Sequence, residues 1–133
     1  SIPDWILEDK ECFRRFVQRL FDCEGTVDTY SLAVNICMWK ESSIIENGKQ
    51  FFESIKHGLL KHFNIISTNV FLTGRNKRKD GKETIGVNLK IRRMAEVVNF
   101  FNKIGFETKK KQETLKRVVD IIINKNKGGA AGI

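Results

Sequence analysis

The stretch VQRLFDCEG, residues 17–25, constrains the rest of the chain more than any other. Just before it, Phe13 and Phe16 fall at helical spacing with Val17, and Leu20 and Phe21 continue the same apolar face. Gly25 stops this helix in the way a C′ glycine does. Two carboxylates, Asp22 and Glu24, therefore stand at the C-terminal end of a mostly buried helix. The helix dipole disfavours negative charge there. Two readings are open. Either the acids solvate a helix end, or a metal ion offsets their charge.

At 133 residues the chain is long enough for one domain with a real core. That domain is expected over residues 1–125, with a flexible Gly/Ala-rich tail over 126–133. No apolar run approaches the ~18 residues that a membrane helix needs. Cys12, Cys23 and Cys37 form no CxxC pair. They read as reduced, buried thiols of a cytoplasmic protein and argue against a structural zinc site. His57 and His62 read as surface or packing residues. Charge divides the chain unevenly: residues 1–74 carry a net −2 and residues 75–133 a net +10. So basic a half is the electrostatic footprint of a polyanion binder, and the other reading is a merely soluble basic surface.

Asp9 is placed to cap the first helix. Residues 26–39 predict two strands joined by a turn near Asp28 and Ser31. In the second strand Leu32, Val34, Ile36 and Met38 face one way, and Ala33, Asn35, Cys37 and Trp39 the other. A second helix is expected over 48–62, with an earlier start at the pair Ile44 and Ile45 as the alternative, and with Phe51, Phe52, Ile55 and Leu59 inward. Strands over 68–75 and 83–92 then form a hairpin whose turn is signalled by Asp80-Gly81. Val70, Leu72, Ile85, Val87, Leu89 and Ile91 share its core parity. The opposite parity carries Asn69, Thr73, Arg75, Thr84, Gly86, Asn88, Lys90 and Arg92. With Asn35, the amides Asn69 and Asn88 could pair with base edges on this face. Arg75, Lys90 and Arg92 ring it, and the hairpin tip, Lys77, Arg78, Lys79 and Lys82, would meet phosphates. A third helix over 93–104 turns Met94, Val97, Val98, Phe101 and Ile104 inward and ends at Gly105. A fourth carries Leu115, Val118, Val119 and Ile122.

Residues 17–25 resemble the signature of the LAGLIDADG homing endonucleases. Val17 stands for the first Leu, Gln18 for Ala and Arg19 for Gly. Leu20 matches, Phe21 replaces Ile, Asp22 matches, Cys23 replaces Ala, Glu24 stands for the second acid and Gly25 matches. The flanking residues look like intein and archaeal versions of the motif. The phrase IGFETKKKQETL, residues 104–115, is similar to a second family feature, an apolar-Gly-Phe helix end followed by Lys-x-Lys-Gln and Leu. The resemblance implies an α+β fold of order αββαββα, with a four-stranded antiparallel sheet as a DNA-binding saddle. It implies a site-specific double-stranded DNA endonuclease of the homing type that uses Mg²⁺. Glu24 would be the catalytic metal ligand, Lys109 the basic group near the scissile phosphate, and Lys111 the competitor for that role. Asp22 would support the helix end. One motif supplies one such acid, so a homodimer or a second LAGLIDADG half is expected. Arg19, at the seam between two signature helices, and a short first hairpin depart from the pattern. They favour the alternative of a non-catalytic DNA-binding domain that keeps the fold.

Overall fold

The computed structural model describes residues 2–131. A short helix, α1 (Asp4–Glu8), leads directly into α2 (Lys10–Glu24). Between them the Asp9 carboxylate accepts the Cys12 N–H at 2.8 Å, the cap that the sequence predicts. Then come β1 (Gly25–Asp28), β2 (Ala33–Glu41), α3 (Ile45–Phe63), β3 (Phe71–Lys77), β4 (Glu83–Ile91), α4 (Met94–Lys103) and α5 (Lys109–Ala131). The expected tail region thus begins inside α5, and residues 132–133 lie outside the described part.

All four strands pair antiparallel in the order β1-β2-β4-β3. Alternation fixes which face of the sheet is covered. Val34, Ile36, Val87, Leu89 and Ile91 point into the helical layer and are essentially inaccessible. Phe13, Val17 and Phe21 of α2 meet them together with Phe52, Ile55 and Leu59 of α3, Val97 and Phe100 of α4, and Leu115, Val118 and Ile122 of α5. Each such side chain contributes about 1.5–3 kcal/mol by leaving water. The Phe21 and Phe100 rings stand 4.9 Å apart, so α2 and α4 share one aromatic contact at the centre. Among the described residues no helix belonging to that core lies on the other face of the sheet. This is the α+β architecture that the sequence implies.

Several details differ from the sequence reading. Gly25 is not left-handed: its backbone is extended, at φ −87° and ψ 156°, and α2 runs straight into β1. Glycine is needed there for space, because a Cβ would stand 2.5 Å from the Phe21 carbonyl oxygen. Of the two starts open for α3 the earlier one holds, at Ile45. In α4 the fully buried aromatic is Phe100, with Phe101 only half-buried and Met94 39 % exposed. Strand β3 is an edge strand exposed along its whole length, so Leu72, expected inside, is 46 % exposed. Cys12 and Cys37 are half-buried and Cys23 is exposed. His62 is a packing residue, its Nε2 2.6 Å from the Leu7 carbonyl.

Two outcomes test this packing. A Cβ on Gly58 of α3 would drive into the Phe13 ring of α2. Gly58→Ala is therefore expected to cost about 1–3 kcal/mol in denaturant unfolding, as overpacking does. The Cys12 N–H bond holds the Asp9 carboxyl below its ordinary value of 3.8. A lowered folded value adds stability above the unfolded value and loses it as pH falls through the folded one. The thermal-midpoint gap between wild type and Asp9→Ala should be full at neutral pH and narrow on acidification past 3.8. A gap that does not change with pH would mean that the capping charge contributes nothing.

Candidate nucleic-acid interface and cleavage centre

The last turn of α2 is held by residues some 85 positions away. Both Asp22 carboxylate oxygens accept the Glu107 N–H, at 3.0 and 3.2 Å, and Oδ1 also accepts the Thr108 N–H at 3.1 Å. In return Lys111 Nζ donates to the Asp22 carbonyl at 2.5 Å. The connection from α4 to α5 is pinned from both sides. Gln18 Nε2 donates to the Ile104 carbonyl at 2.7 Å, and the Phe106 N–H donates to Gln112 Oε1 at 2.7 Å. Gly105, at φ +65°, makes the left-handed turn between those bonds. A Cβ there would meet Gln112 Oε1 at 2.9 Å.

Asp22 is thus committed to backbone N–H groups, while Glu24, two residues on, is exposed. Glu24 lines a cleft of about 520 Å³ with Thr26, Lys110, Lys111 and Thr114. Lys109 is exposed at the first position of α5 and is not part of the cleft wall. The Glu24 charge is felt on the open sheet face: burial first, and then that charge, push the Cys37 thiol up. Among the described residues no three His, Cys, Asp or Glu side chains converge. Mg²⁺ is usually held through one or two carboxylates, with waters and substrate phosphates completing the shell. The exposed Glu24 fits that ligand type, and one chain supplies one such arm.

The open face lies beside this cleft. Its rows run Thr26–Asn35–Lys90, Cys37–Asn88–Phe71 and Trp39–Gly86–Thr73. Asn35, Asn88 and Lys90 are therefore brought together as the alternation predicts. Asn88 Nδ2 donates to Thr73 Oγ1 at 2.8 Å, whereas the buried Asn35 Oδ1 has no partner. Arg92 is exposed just past the end of β4, beside Arg93.

Other expected contacts lie elsewhere. Asn69 accepts from Lys56 of α3 at 2.8 Å. At Gly74 the register slips by one residue. Arg75 consequently faces Ile85, on the helix side, and pairs with Glu83 at 2.8 Å. Lys77 is opposite Glu83 on that same side. At the tip Arg78 pairs with Glu41 at 2.9 Å and Asp80 at 3.0 Å, and Lys82 is 3.6 Å from Glu41. Lys79 is exposed. The tip is thus partly neutralised by its own acids. Glu41, Lys110, Lys111 as an anchor, and Trp39 as an exposed ring escaped the sequence reading. Only Trp39 carried a usable signal, its parity opposite to the core.

The family model of LAGLIDADG-like domains matches residues 11–105, from the first turn of α2 to the turn after α4. No curated protein matches the chain, and no solved structure does. Lys109, Lys111 and the whole of α5 lie beyond the matched residues.

The Lys111 contact is testable without any substrate. Lys111→Met should lower stability by about 1.5–3 kcal/mol, the range for a hydrogen bond that involves a charged group. Lys109→Met should leave the unfolding midpoint unchanged. Equal midpoints for both variants would show that the Lys111 bond holds nothing together.

Proposed function

The chain belongs to the LAGLIDADG-like domain family, and from that premise we propose that it is one half of a site-specific, Mg²⁺-dependent double-stranded DNA endonuclease of the homing type. The observation that carries this reading is the meeting, at one helix–strand junction, of an exposed acid, a lysine-lined cleft and an uncovered sheet face. Duplex DNA would lie on that face. Its phosphates would be held by Lys90, Arg92 and Lys79, and its base edges approached by Asn35 and Asn88.

Cleavage on this reading needs a second half, a homodimer mate or another LAGLIDADG unit. Each half would bring one Glu24-type carboxylate to the pair of α2 helices. Glu24 would hold Mg²⁺ there, and the ion when bound supplies Lewis-acid activation of water and of the leaving oxygen. Lys109, free at the start of α5, would offset the charge that grows on the scissile phosphate. Asp22 and Lys111 would keep the α2 and α5 ends, and so Glu24 and Lys109, at a fixed separation.

Arg19 supports a second reading, a DNA-binding domain that does not cleave. It stands 75 % exposed on α2, 3.9 Å from Glu107. Burying it at a close helix seam would desolvate a charge at a cost of several kcal/mol.

Nicking of duplex targets with and without Mg²⁺ decides between the two. Glu24→Gln should abolish cleavage and leave duplex affinity within about threefold, because the acid makes no phosphate contact of its own. Lys109→Ala should slow cleavage by roughly 10²–10³, the scale for losing one charge-stabilising donor. Wild-type protein that binds duplex with a second half in place, as a homodimer or beside an unlike LAGLIDADG unit, and cuts nothing with any divalent metal would establish the second reading instead.

A further inference from the structure

The open sheet face carries two aromatic rings that reading duplex DNA does not require. Trp39 shares a row with Gly86 and Thr73, and Phe71 shares the next row with Asn88 and Cys37. Trp39 is 49 % exposed and Phe71 38 %. Rings left in water add nothing to folding, whereas burial of one contributes about 1.5–3 kcal/mol.

The indole lies across the sheet. A Cβ on Gly74 of β3 would stand 3.7 Å from Trp39 Cη2. Trp39 belongs to β2, and β4 runs between β2 and β3. Neighbouring strands are about 4.8 Å apart, so the ring can reach β3 only by lying over β4. The residues along that path are small. Gly86 and Gly74 have no side chains, and Thr84 is 7 % exposed although its parity puts it on the open face. Lying flat over that path, the half-exposed indole would turn one π-face to the backbone and the other to solvent. Phe71 stands one row away, and Lys90 occupies the row beyond it.

We propose that this face binds single-stranded nucleic acid, with unpaired bases stacking on Trp39 and Phe71 and the backbone drawn along Lys90 and Arg92. In a duplex the faces of the bases are already stacked on each other, and only their edges reach a protein. Unpaired bases expose their faces, and an aromatic ring flat on a sheet is the surface that takes them. Charge complementarity points the same way, since residues 75–133 carry the net +10. The proposal rests on the sheet face being the nucleic-acid surface, as above. It requires neither Glu24 nor a second half, so it can fail while duplex cleavage stands, and the reverse.

The chain has two tryptophans, so Trp5→Phe leaves Trp39 as the only indole reporter. Its fluorescence would be followed on titration with oligothymidylate, oligouridylate and a mixed-sequence duplex at moderate salt. Either oligomer should quench Trp39. Trp39→Leu, which keeps apolar volume but no π-face, should bind single strands roughly 5- to 150-fold more weakly, with Trp39→Phe in between. Duplex affinity should stay within about threefold in Trp39→Leu, since phosphate contacts carry it. The proposal is overturned if neither oligomer quenches the indole, or if Trp39→Leu binds single strands like wild type. It also fails if the duplex quenches Trp39 equally and loses the same factor on substitution, which would make the ring a duplex contact. Circular dichroism checks that Trp39→Leu folds. If it does not, the quench in Trp5→Phe alone decides.

Discussion

The Asp22 carboxylate joins two helix ends of opposite polarity. A negative group at the C-terminus of α2 is opposed by the dipole of α2 itself. The same group lies against the N–H groups of Glu107 and Thr108, at the entrance to α5, where the dipole has the other sign. Lys111 completes the exchange. Its ammonium takes the Asp22 carbonyl, one of the orphan acceptors at the end of α2. An acid that looks misplaced on one helix is thus the cap of another. The arrangement also separates the roles of the two acids in the stretch. Asp22 is occupied by backbone, and Glu24 is left facing the cleft.

Glycines at two other places set where this junction sits on the sheet. Gly25 lets α2 become β1 without a loop, so Glu24 is fixed between a helix held by Asp22 and a strand held by its pairing with β2. Gly74 acts at the far edge. A single extra residue in β3 exchanges the two faces of the strand beyond it. Thr73 therefore stays on the open face, while Arg75 turns to the helix side. The bulge also leaves the space into which the Trp39 indole extends. The basic edge and the aromatic centre of the sheet thus both depend on that one residue.

What could be read in the sequence was local. The apolar period of α2, the Asp9 cap, the Asp80-Gly81 turn and the helix end at Gly105 each depend on neighbours within a few positions, and the structure holds all of them. The alternation in β2 and β4 was legible because both strands have one buried face. In β3 it was not, because an edge strand exposed throughout has no burial to set its parity, and the bulge then reversed it. The ion pairs of Arg78 and Lys82 with Glu41 were invisible for another reason. Their partners are about forty positions apart, and nothing local marks them. For the candidate centre, the stretch 17–25 gave Asp22 and Glu24. It could not show that Lys111 is tied to Asp22 or that Lys110 borders the cleft.

Arg19 bears most directly on the proposed second half. Its pairing with Glu107 is long and exposed on both sides, at 75 % and 65 %. Such a pair is worth about 0–1 kcal/mol and leaves the guanidinium free to swing. The Glu107 backbone is itself fixed by Asp22, so a carboxylate stays within reach of Arg19 wherever α2 goes. That lowers the cost of covering Arg19, but it does not make the residue small. Two α2 helices meeting about a two-fold axis would bring two Arg19 side chains toward each other, with like charges at a low-dielectric seam. An unlike half with a glycine or a carboxylate opposite Arg19 has neither the clash nor the repulsion. On electrostatic grounds the proposed partner is therefore better supplied by a different LAGLIDADG unit than by a second copy of this chain.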